Sequence, residues 1–164
     1  MDHLYSPWRT GYHGSHPDGC VFCGISQQPE NDTQNRVLYR NDHCFAVMNL
    51  YPYTPGHFMI IPHCHTDALE ELDIAAWQNI TVLAQRGVKM LKEFWGAKGV
   101  NVGMNLGVCG GAGIAEHIHL HLVPRFMGDT NFITSIGDTR VYGVEFDKIY
   151  QRMLSASRDY FGGN

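Results

Sequence analysis

The chain has 164 residues, 44% of them hydrophobic and 17% charged, which suits one domain with a proper core. Its 12 basic and 16 acidic residues give a formal charge of −4, which offers no electrostatic case for binding nucleic acid or an anionic membrane. No stretch approaches the roughly 20 apolar residues that span a bilayer, and residues 1–17 are polar, with no apolar signal core.

Residues 1–19 read as an irregular N-terminal arm, and 27–34 as a polar loop. Arg36 to Arg40 and His43 to Leu50 read as two strands around the turn Asn41-Asp42. After the turn-rich Tyr51-Pro52-Tyr53-Thr54-Pro55-Gly56, a third strand runs from His57 to Ile61, and Pro62 ends it. Asp67 to Trp95 carries Leu69, Leu72, Ala76, Ile80, Leu83, Val88 and Leu91 at helical spacing, with Glu70, Glu71 and Asp73 near the start, where carboxylates suit the helix dipole. Val100 to Asn105 is a fourth strand, and the glycine-rich loop 107–113 leads into a fifth at 117–123. A last helix is expected over Val141 to Leu154, before a frayed end. Strands with short connections and two helices predict an α+β domain, an antiparallel sheet covered by helices.

Along the fifth strand His117, His119 and His121 alternate with Ile118, Leu120 and Leu122. At about 3.3 Å per residue, alternate rings leave one face roughly 6.6 Å apart. Imidazoles near their unperturbed pKa of about 6.5 can attack, pass protons, bind metal or grip an anion. Cys20-Val21-Phe22-Cys23 has the spacing of half a tetrahedral zinc site, with His43, His63, His65 or the triplet to complete it; an empty pair and a redox pair are the alternatives. Cys44, Cys64 and Cys109 stand alone, a usage that predicts reduced thiols in a cytoplasmic protein. The loop around Gly111, Ala112 and Gly113 could bring backbone N–H groups to a phosphate, form a tight hairpin, or do both. His57 begins a strand that could lie beside the histidine strand, and Asn49 could hold a sugar hydroxyl or cap a turn.

The run His117-Ile118-His119-Leu120-His121-Leu122-Val123, followed by Pro124-Arg125, resembles the signature of the histidine triad (HIT) nucleotide hydrolases and transferases. Asn49 to His57, Asn101 to Gly107 and Gly128 to Phe132 agree with it, and the likeness covers about Cys20 to Leu154. It is similar to the bacterial branch that includes diadenosine tetraphosphate (Ap4A) phosphorylases and hydrolases.

The resemblance implies a HIT-like antiparallel sheet of about five strands with one long and one C-terminal helix. The domain would span 20–156, flanked by the arm 1–19 and a tail 157–164. His119 would attack the α-phosphate and form a covalent histidyl-AMP. His121 would serve the phosphate and the leaving group, and His57 would orient the triad. Asn49 would hold the ribose, and Asn105 with Gly111, Ala112 and Gly113 would line the phosphates. Ile25, Phe45 and Leu50 are the apolar candidates for the adenine pocket.

Cys20, Cys23, His65 and His117 would hold a structural zinc, with His63 and His43 as alternatives to His65. The partners implied are an adenosine nucleotide and a second copy of the chain. Gly113 stands where many relatives carry Gln or Ser, which leaves phosphorylase against hydrolase open. Two rival readings are a zinc-activated water at the histidine cluster and a nucleotide-binding protein with little turnover.

Overall fold

A computed structural model describes residues 19–137 and 145–162. The N-terminal arm expected over 1–19 therefore lies outside the described residues but for Gly19. Five strands, β1 (Val37–Arg40), β2 (Cys44–Met48), β3 (Phe58–Pro62), β4 (Gly99–Gly103) and β5 (Leu120–Arg125), form one sheet in the order β1-β2-β3-β5-β4. Every neighbouring pair is antiparallel. The expected α+β fold with a five-stranded antiparallel sheet is therefore the fold observed.

Pleating sorts the side chains onto two faces. Cys44, Ala46, Met48, Phe58, Ile60, Leu120 and Leu122 pack toward α2 (Ile74–Glu93) and α4 (Phe146–Phe161), in the larger core with Ile80, Leu83, Leu91, Ile149 and Met153. Val37, Phe45, Val47, Met59 and Ile61 build a smaller core on the other face, closed by Phe22 from α1 (Val21–Gln27), with Cys20, Ile25 and Ile114 against it. The sheet thus carries its long helices on one side and the short α1 over part of the other. A short α3 (Phe132–Ser135) follows β5.

Four expectations are corrected. The helix read from Asp67 begins at Ile74: Leu69–Glu71 is a separate 3₁₀ turn, and Asp73 is the N-cap, its carboxylate accepting from the N–H groups of Ala75 and Ala76. The last helix ends at Phe161 rather than Leu154, and Ser157 and Phe161 are buried, so the boundary expected at 157 falls inside it. The polar loop 27–34 holds the last residue of α1 and a 3₁₀ turn at Pro29–Asn31.

The fourth correction concerns the histidine strand. Its ladder starts at Leu120, whose partner is Ile60, so His117 and His119 precede the strand. The N–H of Ile118 goes instead to the Thr66 carbonyl at 2.8 Å. At the other end Pro124 and Arg125 stay in the ladder opposite Val100 and Gly99, so the strand runs past the end expected at Val123. Pairing with β3 has already ended at Leu122, so the missing proline N–H breaks no bond on that side.

Candidate active site

His119 is buried, with 6% of its surface exposed. Its Nδ1 lies 2.8 Å from the His117 carbonyl, which can only accept, so Nδ1 carries the proton and Nε2 keeps its lone pair. Burial holds the His119 imidazole below its ordinary range, partly opposed by that hydrogen bond. At neutral pH the ring is therefore uncharged, with a fixed tautomer and an available nucleophilic nitrogen. Phe22 packs on it with ring centroids 5.2 Å apart.

His121 and His57 form a second unit. Nε2 of His57 lies 3.0 Å from Nδ1 of His121. The backbone N–H of Tyr53 donates to Nδ1 of His57 at 3.2 Å, so neutral His57 must hold its proton on Nε2 and donate it to His121. His121 in turn keeps its proton on Nε2, as a donor. The His119 and His121 rings meet edge to face, with centroids 4.8 Å apart. Met59 and Gly103 flank His121 in the sheet, and Gly103 contributes no side chain to that face. Tyr53 stacks on His57 at 5.0 Å.

Cys20, Cys23, His65 and His117 converge, their ligand atoms all within 4.8 Å of one another. Cys20 Sγ lies 3.3 Å from His117 Nδ1, Cys23 Sγ 3.7 Å from the same atom, and Cys23 Sγ 3.3 Å from His65 Nδ1. Tetrahedral zinc with bonds of about 2.3 Å to sulfur and 2.0–2.1 Å to nitrogen would separate S and N ligands by roughly 3.5 Å, so the four residues fit such an ion. The Nε2–H of His117 donates to the Pro62 carbonyl at 3.0 Å, which leaves Nδ1 free to ligate. Burial and the neighbouring Cys20 push the Cys23 thiol up; a cation would reverse that preference. His63 is engaged elsewhere, through Ser26 Oγ at 2.7 Å and the Asn41 carbonyl at 2.8 Å. Neither it nor His43 belongs to the cluster.

The remaining candidates divide. Asn49 lies beside His57, with Nδ2 3.5 Å from its Nε2, while Oδ1 accepts from the Tyr51 N–H, so the turn-capping role is real. Asn105 Nδ2 donates to the Gly111 carbonyl at 3.4 Å and braces the glycine loop. The N–H groups of Gly110, Gly111 and Ala112 donate to carbonyls within that loop, so it forms the tight turn expected as one of its two roles. Gly113 remains exposed behind them. Leu50 is exposed and Ile25 half-buried. Phe45 is wholly buried against His63 and Arg40, so it presents no surface to a base. Phe22 and Tyr53, which the sequence reading passed over, stand against the histidines instead; aromatic residues beside a cysteine pair and a proline turn were the available signal.

A family model described as "HIT domain" matches residues 30–128. The chain belongs to the HIT family. A relative from Mycobacterium tuberculosis, named AP-4-A phosphorylase, is 40% identical over 151 residues, spanning 86% of this chain and 76% of its own. The bis(5'-nucleosyl)-tetraphosphatase (asymmetrical) of Schizosaccharomyces pombe is 27% identical over 95 residues, 58% of this chain and 52% of its own. Among solved structures, a zinc-bound histidine triad protein from Mycobacterium smegmatis superposes with a TM-score of 0.71 at 25% identity, covering 89% of this chain and 98% of its own. Among the described residues no helix is long and apolar enough to cross a membrane.

Proposed function

We propose that this HIT protein is a nucleotidyl hydrolase or transferase that attacks the α-phosphate of an adenosine dinucleotide such as Ap4A. The observation that carries the reading is the fixed tautomer of His119, which leaves Nε2 as a neutral nucleophile beside a second, donor-bearing imidazole. Membership of a family whose relatives are named for Ap4A and bis-nucleosyl tetraphosphate supports the substrate class.

In the first step His119 Nε2 forms a bond to the α-phosphorus while the bridging P–O bond breaks, its electron pair leaving with the polyphosphate. The leaving oxygen belongs to a phosphate anion, so it needs only the hydrogen bond that His121 Nε2–H supplies. His57 keeps that donor aimed by occupying His121 Nδ1. In the second step water or phosphate attacks the histidyl-AMP and the N–P pair returns to His119. Water gives AMP and releases a proton to solvent; phosphate gives ADP. Splitting the displacement in two lowers each barrier.

Zinc on Cys20, Cys23, His65 and His117 would act as a structural ion, cross-linking α1 to the segment before β5. Four side-chain ligands leave no open position for an activated water, which weighs against the zinc-hydrolase reading. A second copy of the chain would pair along the edge of β4, beyond which no strand lies among the described residues, beside the exposed Val102. The test is incubation with Ap4A, a quench in mild base and a search for AMP mass on His119. Label there, lost together with turnover in His119→Ala, supports the mechanism. Turnover retained by His119→Ala refutes it, and AMP bound without label or turnover makes the protein a binding module.

A further inference from the structure

The turn that carries His57 is fastened from outside the site, and one fastening residue lies far along the chain. Trp95, just after α2, donates its indole N–H to the Pro55 carbonyl at 2.8 Å. Gly56 has φ +92°, and a Cβ there would sit 2.4 Å from the indole Nε1, so the ring lies flush on the turn. Thr54 anchors the same turn from within, its buried hydroxyl donating to the Pro124 carbonyl at 2.7 Å. The N–H of His57 then closes on the Thr54 carbonyl at 3.1 Å, and the Tyr53 N–H meets His57 Nδ1. Behind the indole stands Arg152 of α4, its guanidinium 4.7 Å from the ring centroid.

We propose that Trp95 is a positioning residue for the His57–His121 pair, backed by Arg152. Arg152 holds the indole, the indole holds Pro55 and Gly56, and that turn sets both the place of His57 and the hydrogen bond that fixes its tautomer. Without the indole N–H the turn shifts, the Tyr53 amide leaves Nδ1, and His57 no longer has a reason to keep its proton on Nε2. His121 then loses a fixed donor. Trp95 touches none of the reacting atoms in this arrangement, so its effect is on kcat rather than on nucleotide affinity.

The kinetic arm of the test rests on the nucleotidyl-transfer reading; the spectroscopic arm does not. Trp95→Phe keeps a smaller aromatic ring and removes the N–H. In the parent, the two ring nitrogens of His57 should show well-separated nitrogen-15 shifts, with Nδ1 unprotonated and Nε2 protonated. In Trp95→Phe they should move toward each other as the tautomers mix. A displacement of a fraction of an ångström should lower kcat for Ap4A about tenfold, with KM within about twofold, since about 1 Å can cost on the order of 100-fold.

A folded Trp95→Phe protein with the parent's His57 shifts overturns the assignment, whatever its melting temperature. If Trp95→Phe does not fold, Arg152→Gln is read in the same way. It should move the same shifts less far, and unmoved shifts overturn the proposal. A parent inactive on Ap4A, or an active His119→Ala, would sink the nucleotidyl-transfer reading while leaving the shifts to decide the role of Trp95.

Discussion

Gly87→Ala presses on the site from behind the sheet. Gly87 lies on the buried side of α2, where an added Cβ would come 2.8 Å from Phe58 Cζ and 2.9 Å from Leu122 Cδ2. Both neighbours are 0% exposed, so neither can step aside freely. Alanine gains about 1 kcal/mol of helix propensity over glycine. Overpacking a closed core costs about 1–3 kcal/mol, and the balance is a loss of about 1 kcal/mol. For a chain of this size that is a fall in Tm of roughly 2–4 °C. Phe58 and Leu122 are also a register pair, and each directly follows a histidine of the site. The strain therefore reaches the 3.0 Å contact between His57 and His121, and kcat should fall several-fold with unchanged metal content. Thermal and urea melts with steady-state kinetics check this. Gly24→Ala, with nothing within 4 Å of its Cβ, is the control and should be neutral or stabilising by up to about 1 kcal/mol. A Gly87→Ala protein that melts above the parent would refute the reasoning.

Three further outcomes are expected. Cys20→Ser removes one of the four converging ligands and should weaken zinc binding on the order of 100-fold or more, with a lower Tm; full zinc retention in metal analysis would exclude Cys20 as a ligand. The Arg125 guanidinium holds the Asp129 carboxyl down to about 2 from 3.8. That pair stabilises the fold above pH 4 and loses its contribution as pH falls from there toward 2, so Asp129→Asn should cost about 1 kcal/mol at pH 7, after solvent screening, and almost nothing at pH 2. Equal costs at both pH values in denaturant titrations would contradict this. Burial pushes the Cys44 thiol up to about 12, so iodoacetamide at pH 8 should label the exposed Cys64 and Cys109 and spare Cys44 until the protein unfolds.

The central strands β2 and β3 were legible because each is a short apolar run closed by a turn or a proline, and the triad because three imidazoles at period two have few other uses. The Cys20, Cys23, His65 and His117 cluster was legible in part: the cysteine spacing marked one half, while only the fold separates His65 from His63, which Ser26 and Asn41 hold elsewhere. Helix α1 was hidden, since seven residues without a side-chain cap carry no periodicity to read. The start of β5 was misplaced because alternation reports which side a residue faces, not whether a neighbouring strand pairs with it. Phe45 was misread for a related reason: it alternates toward the site face, but α1 and Arg40 close over that part of the sheet. Trp95 had no signal at all, because its meaning lies in a turn 40 residues earlier.

His117 has three separate engagements: Nδ1 faces the thiols, Nε2–H donates to the Pro62 carbonyl, and its own carbonyl accepts the Nδ1–H hydrogen bond of His119. Damage to the cysteine cluster and damage at His119 should therefore fail to add, because one residue is the common link. The same sharing restricts variation. A change at His117 touches both the nitrogen that faces the thiols and the residue whose carbonyl holds His119.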